Sequence, residues 1–205
     1  MQQPHRNKRI YQFLITLEGI EPTVWRRIQV PEAFSFWDLH MAIQDAFGWT
    51  NSHLHEFFYR SKGLKIGMPM DDGFTDPEDL PEAGWEMDIE ELFEDVGDSM
   101  SYLYDFGDSW SHDVLLEGIL LQPKKVKFSR CIDGERMAPP EDCGGVFGYE
   151  QLLEVINDPK NEEYKEMIEW LKGQYGRKKF DPDSFDVSSV KFKNPQKQLE
   201  LWLEN

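Results

Sequence analysis

The chain has 205 residues, with 22 Lys and Arg against 39 Asp and Glu, a formal net charge of −17. Hydrophobic residues make up 40% and aromatics 14%, enough for a core, so a wholly disordered chain is excluded. No apolar run approaches the roughly 20 residues of a membrane span, and residues 1–9 lack the apolar stretch of a secretory signal. Two cysteines make no disulfide framework, so a cytoplasmic α+β protein with no membrane contact is expected.

Residues 10–17 and 23–30 are predicted to form two strands joined at Glu18-Gly-Ile-Glu-Pro22, a hairpin. Alternation places Val24, Arg26, Ile28 and Val30 on one face. A lone buried guanidinium is costly, so Arg26 is expected either to meet a carboxylate or to reach past the sheet edge. Residues 35–47 read as a helix capped by Ser35 with Asp38 at its third position, ended by Gly48. Residues 53–59 alternate as a strand, with His53, His55, Phe57 and Tyr59 on one side.

An acidic loop is expected over about 66–98. From Ile66 to Pro123 there are 17 acidic residues and no basic one, and the rest of the chain balances. Such a field repels phosphate backbones, so direct nucleic-acid binding is not expected. A cation- or partner-attracting loop and a merely solubilising one both fit. EF-hand spacing is absent. One short helix is expected at 89–94. Residues 100–106 and 112–121 read as strands joined at Gly107-Asp108-Ser109, a second hairpin.

A glycine- and proline-rich stretch spans 131–148. Two helices follow, striped by Tyr149, Leu152, Leu153 and Ile156 and by Tyr164, Met167, Ile168 and Leu171. Asn161 and Gly173 are expected to bound the second. A last helix has Asn194 as cap, Pro195 in its first turn and Leu199, Trp202 and Leu203 on its apolar face. Strands early and helices late predict one α+β domain over 1–205. Its sheet is antiparallel or mixed, built from two hairpins plus one further strand and covered by helices, with a helical part at about 149–205.

His53 and His55, two apart on a strand, would project to one face, and His112 would join them if its strand lay alongside. Asp105 and Asp108 sit at the turn beside His112. Together these residues suit a hydrolytic divalent-metal centre; half-buried histidines bonded to neighbours explain the same pattern. Asp105-Phe-Gly107 lacks every partner of the kinase magnesium motif, and a glycine turn packed by Trp110 accounts for it. Cys131 and Cys143 lack Cys-x-x-Cys knuckles. A nucleophilic Cys143 is opposed by Glu141 and Asp142, which would raise its pKa. Gly144-Gly-Val-Phe-Gly148 has neither Walker nor Rossmann spacing and reads as a loop running into a helix. Arg177-Lys178-Lys179 is too short for a nucleic-acid patch.

Taken together, certain segments resemble the plasmid pRiA ORF-three-like family. They are Val24-Trp-Arg-Arg27, His53-Leu-His-Glu-Phe57, the run Tyr104-Asp-Phe-Gly-Asp-Ser-Trp-Ser-His112, Cys131-Ile-Asp-Gly-Glu-Arg136 and Pro139-Pro-Glu-Asp-Cys-Gly-Gly145. Phe180-Asp-Pro182 with Phe185-Asp186 matches the tail. The resemblance covers about residues 11–190. It implies a single α+β domain and brings no reaction, the family being uncharacterised. Many members carry a third cysteine where this chain has Ala138, so a family thiolate metal site would lack a ligand here.

Three functions follow. The leading one is a non-catalytic binding or adaptor domain. It would hold a small ligand or a protein partner with His53, His55, Asp105, Asp108 and His112, and with the adjoining loop of Arg136, Glu141 and Asp142. The rival is a metal-dependent hydrolase with His53, His55 and His112 as ligands and Asp105 or Asp108 as ligand or base. The third, a DNA-recombination accessory role, is opposed by the net charge.

Overall fold

The structure is a computed structural model that describes residues 9–70, 76, 79–122, 129–176 and 180–204. Residues 71–75, 77 and 78 of the acidic segment and the Arg177-Lys178-Lys179 run lie outside these residues, as does almost all of the N-terminal nine.

Strand β1 (Arg9–Leu17) and strand β2 (Val24–Pro31) form the predicted antiparallel hairpin. Helix α1 (Phe36–Phe47) follows, with both halves of the capping box in place. Ser35 Oγ accepts from the Asp38 amide at 3.2 Å, Asp38 Oδ2 accepts from the Ser35 amide at 3.1 Å, and Gly48 closes the helix at φ 82°. Then come β3 (His55–Tyr59), β4 (Leu64–Gly67), β5 (Glu82–Ala83), β6 (Ser99–Tyr104), β7 (Trp110–Leu121) and β8 (Arg130–Glu135). Three helices end the fold: α2 (Gly145–Asn157), α3 (Tyr164–Tyr175) and α4 (Pro195–Leu203), the last capped by Asn194 as predicted. No described helix is long and apolar enough to cross a membrane.

The strands make one mixed eight-stranded sheet in the order β5-β4-β3-β6-β7-β1-β2-β8, antiparallel except for β4 with β5. Both hairpins are present, and β3 pairs with β6. Three strands, β4, β5 and β8, were not expected. The first two are a few residues each inside the acidic segment, and β8 contains Asp133-Gly134, a pair that suggests a turn. Gly134 is required there: a Cβ would sit 2.5 Å from the Phe185 ring and 2.9 Å from the Trp25 carbonyl. The acidic segment is therefore no simple loop. Backbone bonds Phe36 N to Met87 O, Trp37 N to Gly84 O and Ile89 N to Phe34 O tie it to α1, and Ile89 and Phe93 are buried. The expected helix at 89–94 is a single 3-10 turn, Ile89–Glu91. Helix α3 is headed by Glu163 and ends at Gly176, rather than Asn161 and Gly173.

One sheet face is closed off, with Phe13, Ile15, Phe57, Tyr102, Val114 and Leu116 all at 0% exposure. The other is partly open and laced by polar side chains: Arg27 on Glu117 and Asp133, Gln12 on Glu117, Gln29 on Gln12. Helix α4 docks Leu199 and Trp202 on Trp37 and Met41, while Leu203 is exposed.

Arg26 is buried as alternation required, yet among the described residues no carboxylate pairs with it. Its Nε donates to Ala46 O (2.9 Å) and its Nη1 to Trp25 O and Glu135 O (2.7 and 2.9 Å), while Phe47 and Phe185 flank the guanidinium at 5.0 and 3.7 Å. Burial brings its pKa down to about 10, so the group stays charged at neutral pH.

Candidate functional site

The chain leaves α1 at Gly48 and turns through Asn51 before β3 begins at His55. His53 therefore precedes the strand, and the two-residue alternation breaks between the two histidines. His55, 2% exposed, enters the core and stacks on His40 with ring centroids 3.4 Å apart and planes 6° from parallel. His112, 0% exposed, packs edge-on against Phe47 and Trp49. Burial, and for His55 the neighbouring His40 as well, holds His55 well below the usual imidazole pKa; burial brings His40 and His112 to about 3. These three are neutral core groups. The expected metal set of His53, His55 and His112 does not assemble: among the described residues the three imidazoles do not form a group whose ligand atoms lie within 4.8 Å of one another, because His55 and His112 turn into the core while His53 stays outside it.

His53 instead faces two carboxylates. Its Nε2 lies 3.1 Å from Asp142 Oδ1 and 3.6 Å from Asp105 Oδ2. Among the described residues this is the one group of three or more potential metal donors whose ligand atoms all lie within 4.8 Å of one another. Asp105 is 6% exposed and reached by a sharp turn after β6. Its Oδ1 accepts from the amides of Gly107 and Asp108 (2.9 and 3.3 Å), and its own amide donates to Leu54 O. Asp108 does not join the cluster. Its Oδ2 accepts from the Gly144 amide at 3.1 Å, just ahead of α2. The contact is close: a Cβ on Gly145, at φ 67°, would fall 2.4 Å from Asp108 O.

Glu141 is a support. One oxygen accepts from Tyr104 Oη at 2.5 Å, the other from the amide and hydroxyl of Thr50 (3.0 and 2.7 Å). Tyr104 Oη in turn accepts from the backbone amide of Ser52 at 3.1 Å, and burial and Glu141 hold its pKa above the usual phenol value. Trp49 Nε1 donates to Pro139 O (2.9 Å), pinning the loop from the other side. The described non-glycine residues with left-handed φ are Asn51, Asp105, Ser109, Arg136 and Asp142, all in the loops that carry this region. Such backbone is costly for L-residues and gathers where a fold over-determines a site. Thr50, Ser52 and Tyr104 were not singled out as site residues by sequence. The signal available was Tyr104 heading the family run.

Arg136 faces a separate cleft. Between α2, α3 and residues 180–183 lies a space of about 870 Å³, lined by Leu153, Ile156, Ile168, Leu171, Phe180 and Arg136 among others. Arg136 Nη1 donates to Asp183 Oδ1, a carboxylate that is mostly exposed. Its Nε and the nearby Tyr149 hydroxyl are both buried and make no well-aligned hydrogen bond; burial takes the hydroxyl's pKa up to about 12 against the pull of the adjacent Arg136 charge. Cys131 and Cys143 are free thiols. Burial, with Asp108 and Asp142 close by, takes Cys143 to about 12, which opposes a nucleophilic thiolate.

An open mixed sheet, helices over one face and acidic and basic side chains held on stiff turns define an α+β fold with surface clefts. The model of the plasmid pRiA4b ORF-3-like protein family matches residues 9–189, and the chain belongs to that family. It is 36% identical over 157 residues to the uncharacterized protein y4hQ of Sinorhizobium fredii, covering 76% of this chain and 77% of that one. The crystal structure of MM3350, a protein of unknown function from Methanosarcina mazei, superposes with a TM-score of 0.77 at 39% identity, over 90% of this chain and 98% of that one.

Proposed function

We propose that the chain acts as a single non-catalytic binding domain of the cytoplasm, and that the cleft at Arg136 takes a small organic carboxylate with an apolar body. The cleft carries this reading. Its volume falls in the range of small-molecule sites, its walls are mostly apolar, and it has one guanidinium with an unused buried donor. A fork of N–H donors suits a carboxylate, and Asp183 already supplies one from an exposed position that a ligand can displace. Arg136 and Lys172 line the cleft with Asp181 and Asp183, a balanced set that suits a singly charged acid better than a multiply charged phosphate. The two free thiols fit a reducing compartment.

Octanoate and hydrocinnamate, with their neutral amides as controls, test this by calorimetry. At least one acid is expected to bind, its amide to bind far more weakly, and Arg136→Met to weaken the acid by about tenfold or more. Absence of binding by both acids, or equal binding by the variant, overturns it. Preferential capture of a peptide C-terminus would replace the small ligand with a protein partner.

A further inference from the structure

We propose that His53, Asp105 and Asp142 form a binding site for a divalent first-row transition cation such as Zn²⁺, Mn²⁺ or Co²⁺. The proposal is independent of the Arg136 cleft.

Ligand atoms that share one such ion at about 2.0–2.2 Å stand roughly 3.0–3.5 Å from one another. The imidazole Nε2 stands 3.1 Å from one carboxylate oxygen and 3.6 Å from the other. That nitrogen is closed off from solvent and makes no hydrogen bond even at these distances. It sits beside two acceptors without being aligned on either, as a coordinating lone pair would. Asp105 is nine-tenths buried, and the hydrogen bonds it receives fall on Oδ1, so the turn that holds Oδ1 leaves Oδ2 toward His53. This is how second-shell bonds orient a metal ligand. On the open side Asp142 is exposed, its side chain at 63%, so further coordination positions face solvent. One nitrogen with two carboxylate oxygens favours Zn²⁺ or Mn²⁺ over Ca²⁺ and Mg²⁺, which prefer all-oxygen shells.

Full-length protein stripped with EDTA and dialysed is titrated with Co²⁺, following heat and the visible d–d bands that report nitrogen and oxygen ligation. One ion per chain is expected. His53→Gln, at a half-buried position, and Asp142→Asn, at an exposed one, should each weaken binding at least about tenfold and change the bands while the melting temperature stays put. Arg136→Met should leave Co²⁺ binding unchanged, which separates this site from the cleft. No saturable binding overturns the proposal. So does binding that His53→Gln leaves intact, which would place the ions on the acidic surface and leave His53 as an ion-pair partner of the two aspartates.

Discussion

Arg26 shows what a single residue position discloses and what it hides. Alternation within β2 was enough to bury it, because Val24, Ile28 and Val30 share its face. Its partners were not legible, since Ala46, Glu135 and Phe185 come from three distant parts of the chain and two of the contacts are backbone carbonyls. Carbonyls are the cheaper solution here: they are already oriented by the sheet and helix, and no second ion has to be desolvated. Truncating the side chain leaves these acceptors unpaired and opens a hole between two phenyl rings. Arg26→Ala is expected to cost about 3 kcal/mol or more in urea unfolding, and Arg26→Met, which refills the volume, distinctly less. The same scale explains the candidate site. His53, Asp105 and Asp142 were each legible as chemistry-bearing residues, but their grouping depended on a bend at His53 that the period-two pattern carried straight through.

Among the elements, those with local chemistry were legible, the two hairpins included, and the short strands that exist only by pairing with a distant edge were not. Helix α1 announced both its ends, through Ser35 with Asp38 and through Gly48. Ser35→Ala is expected to destabilise the protein by about 1 kcal/mol, measured as a shift in the urea midpoint with unchanged slope. Helix α4 was equally plain from Asn194 and Pro195. By contrast β8 reads locally as a turn and becomes a strand only because β2 offers it an edge, with Phe185 lying over Gly134. The short β4 and β5 likewise owe their form to partners, not to propensity.

The whole molecule carries an acid sensitivity that net charge alone would not reveal. His40, His55 and His112 are buried neutral, with folded pKa values far below that of an exposed imidazole. As pH falls below about 6.5 the unfolded chain takes up protons that the folded one refuses, so stability is present above that pH and drains away toward about pH 3. With three such groups the loss approaches about 4 kcal/mol per pH unit. Asp38 and Asp45 act the other way. Burial raises their folded pKa values, so the folded chain takes up these protons before the unfolded one as pH falls, which favours the folded state and partly offsets the loss. Urea midpoints taken from pH 7 to pH 4 should fall steeply, and replacing His112 with Gln should flatten the slope by roughly one third.

The place of β1 in the sheet has a consequence for how the chain is made. This first strand lies near the middle of the sheet, held on one side by β2 and on the other by β7, with Arg9 opposite Leu121. The ribosome therefore releases an apolar strand whose second neighbour is still unsynthesised. At about 5–20 residues per second, β7 follows after an interval of roughly 5–20 s. Until then the β1–β2 hairpin has both outer hydrogen-bonding edges bare, since β8, the other neighbour of β2, comes later still, and its apolar face is uncovered. The nascent chain thus exposes strand edges open to pairing for as long as the later strands take to follow, a hazard set by strand order and not by sequence composition.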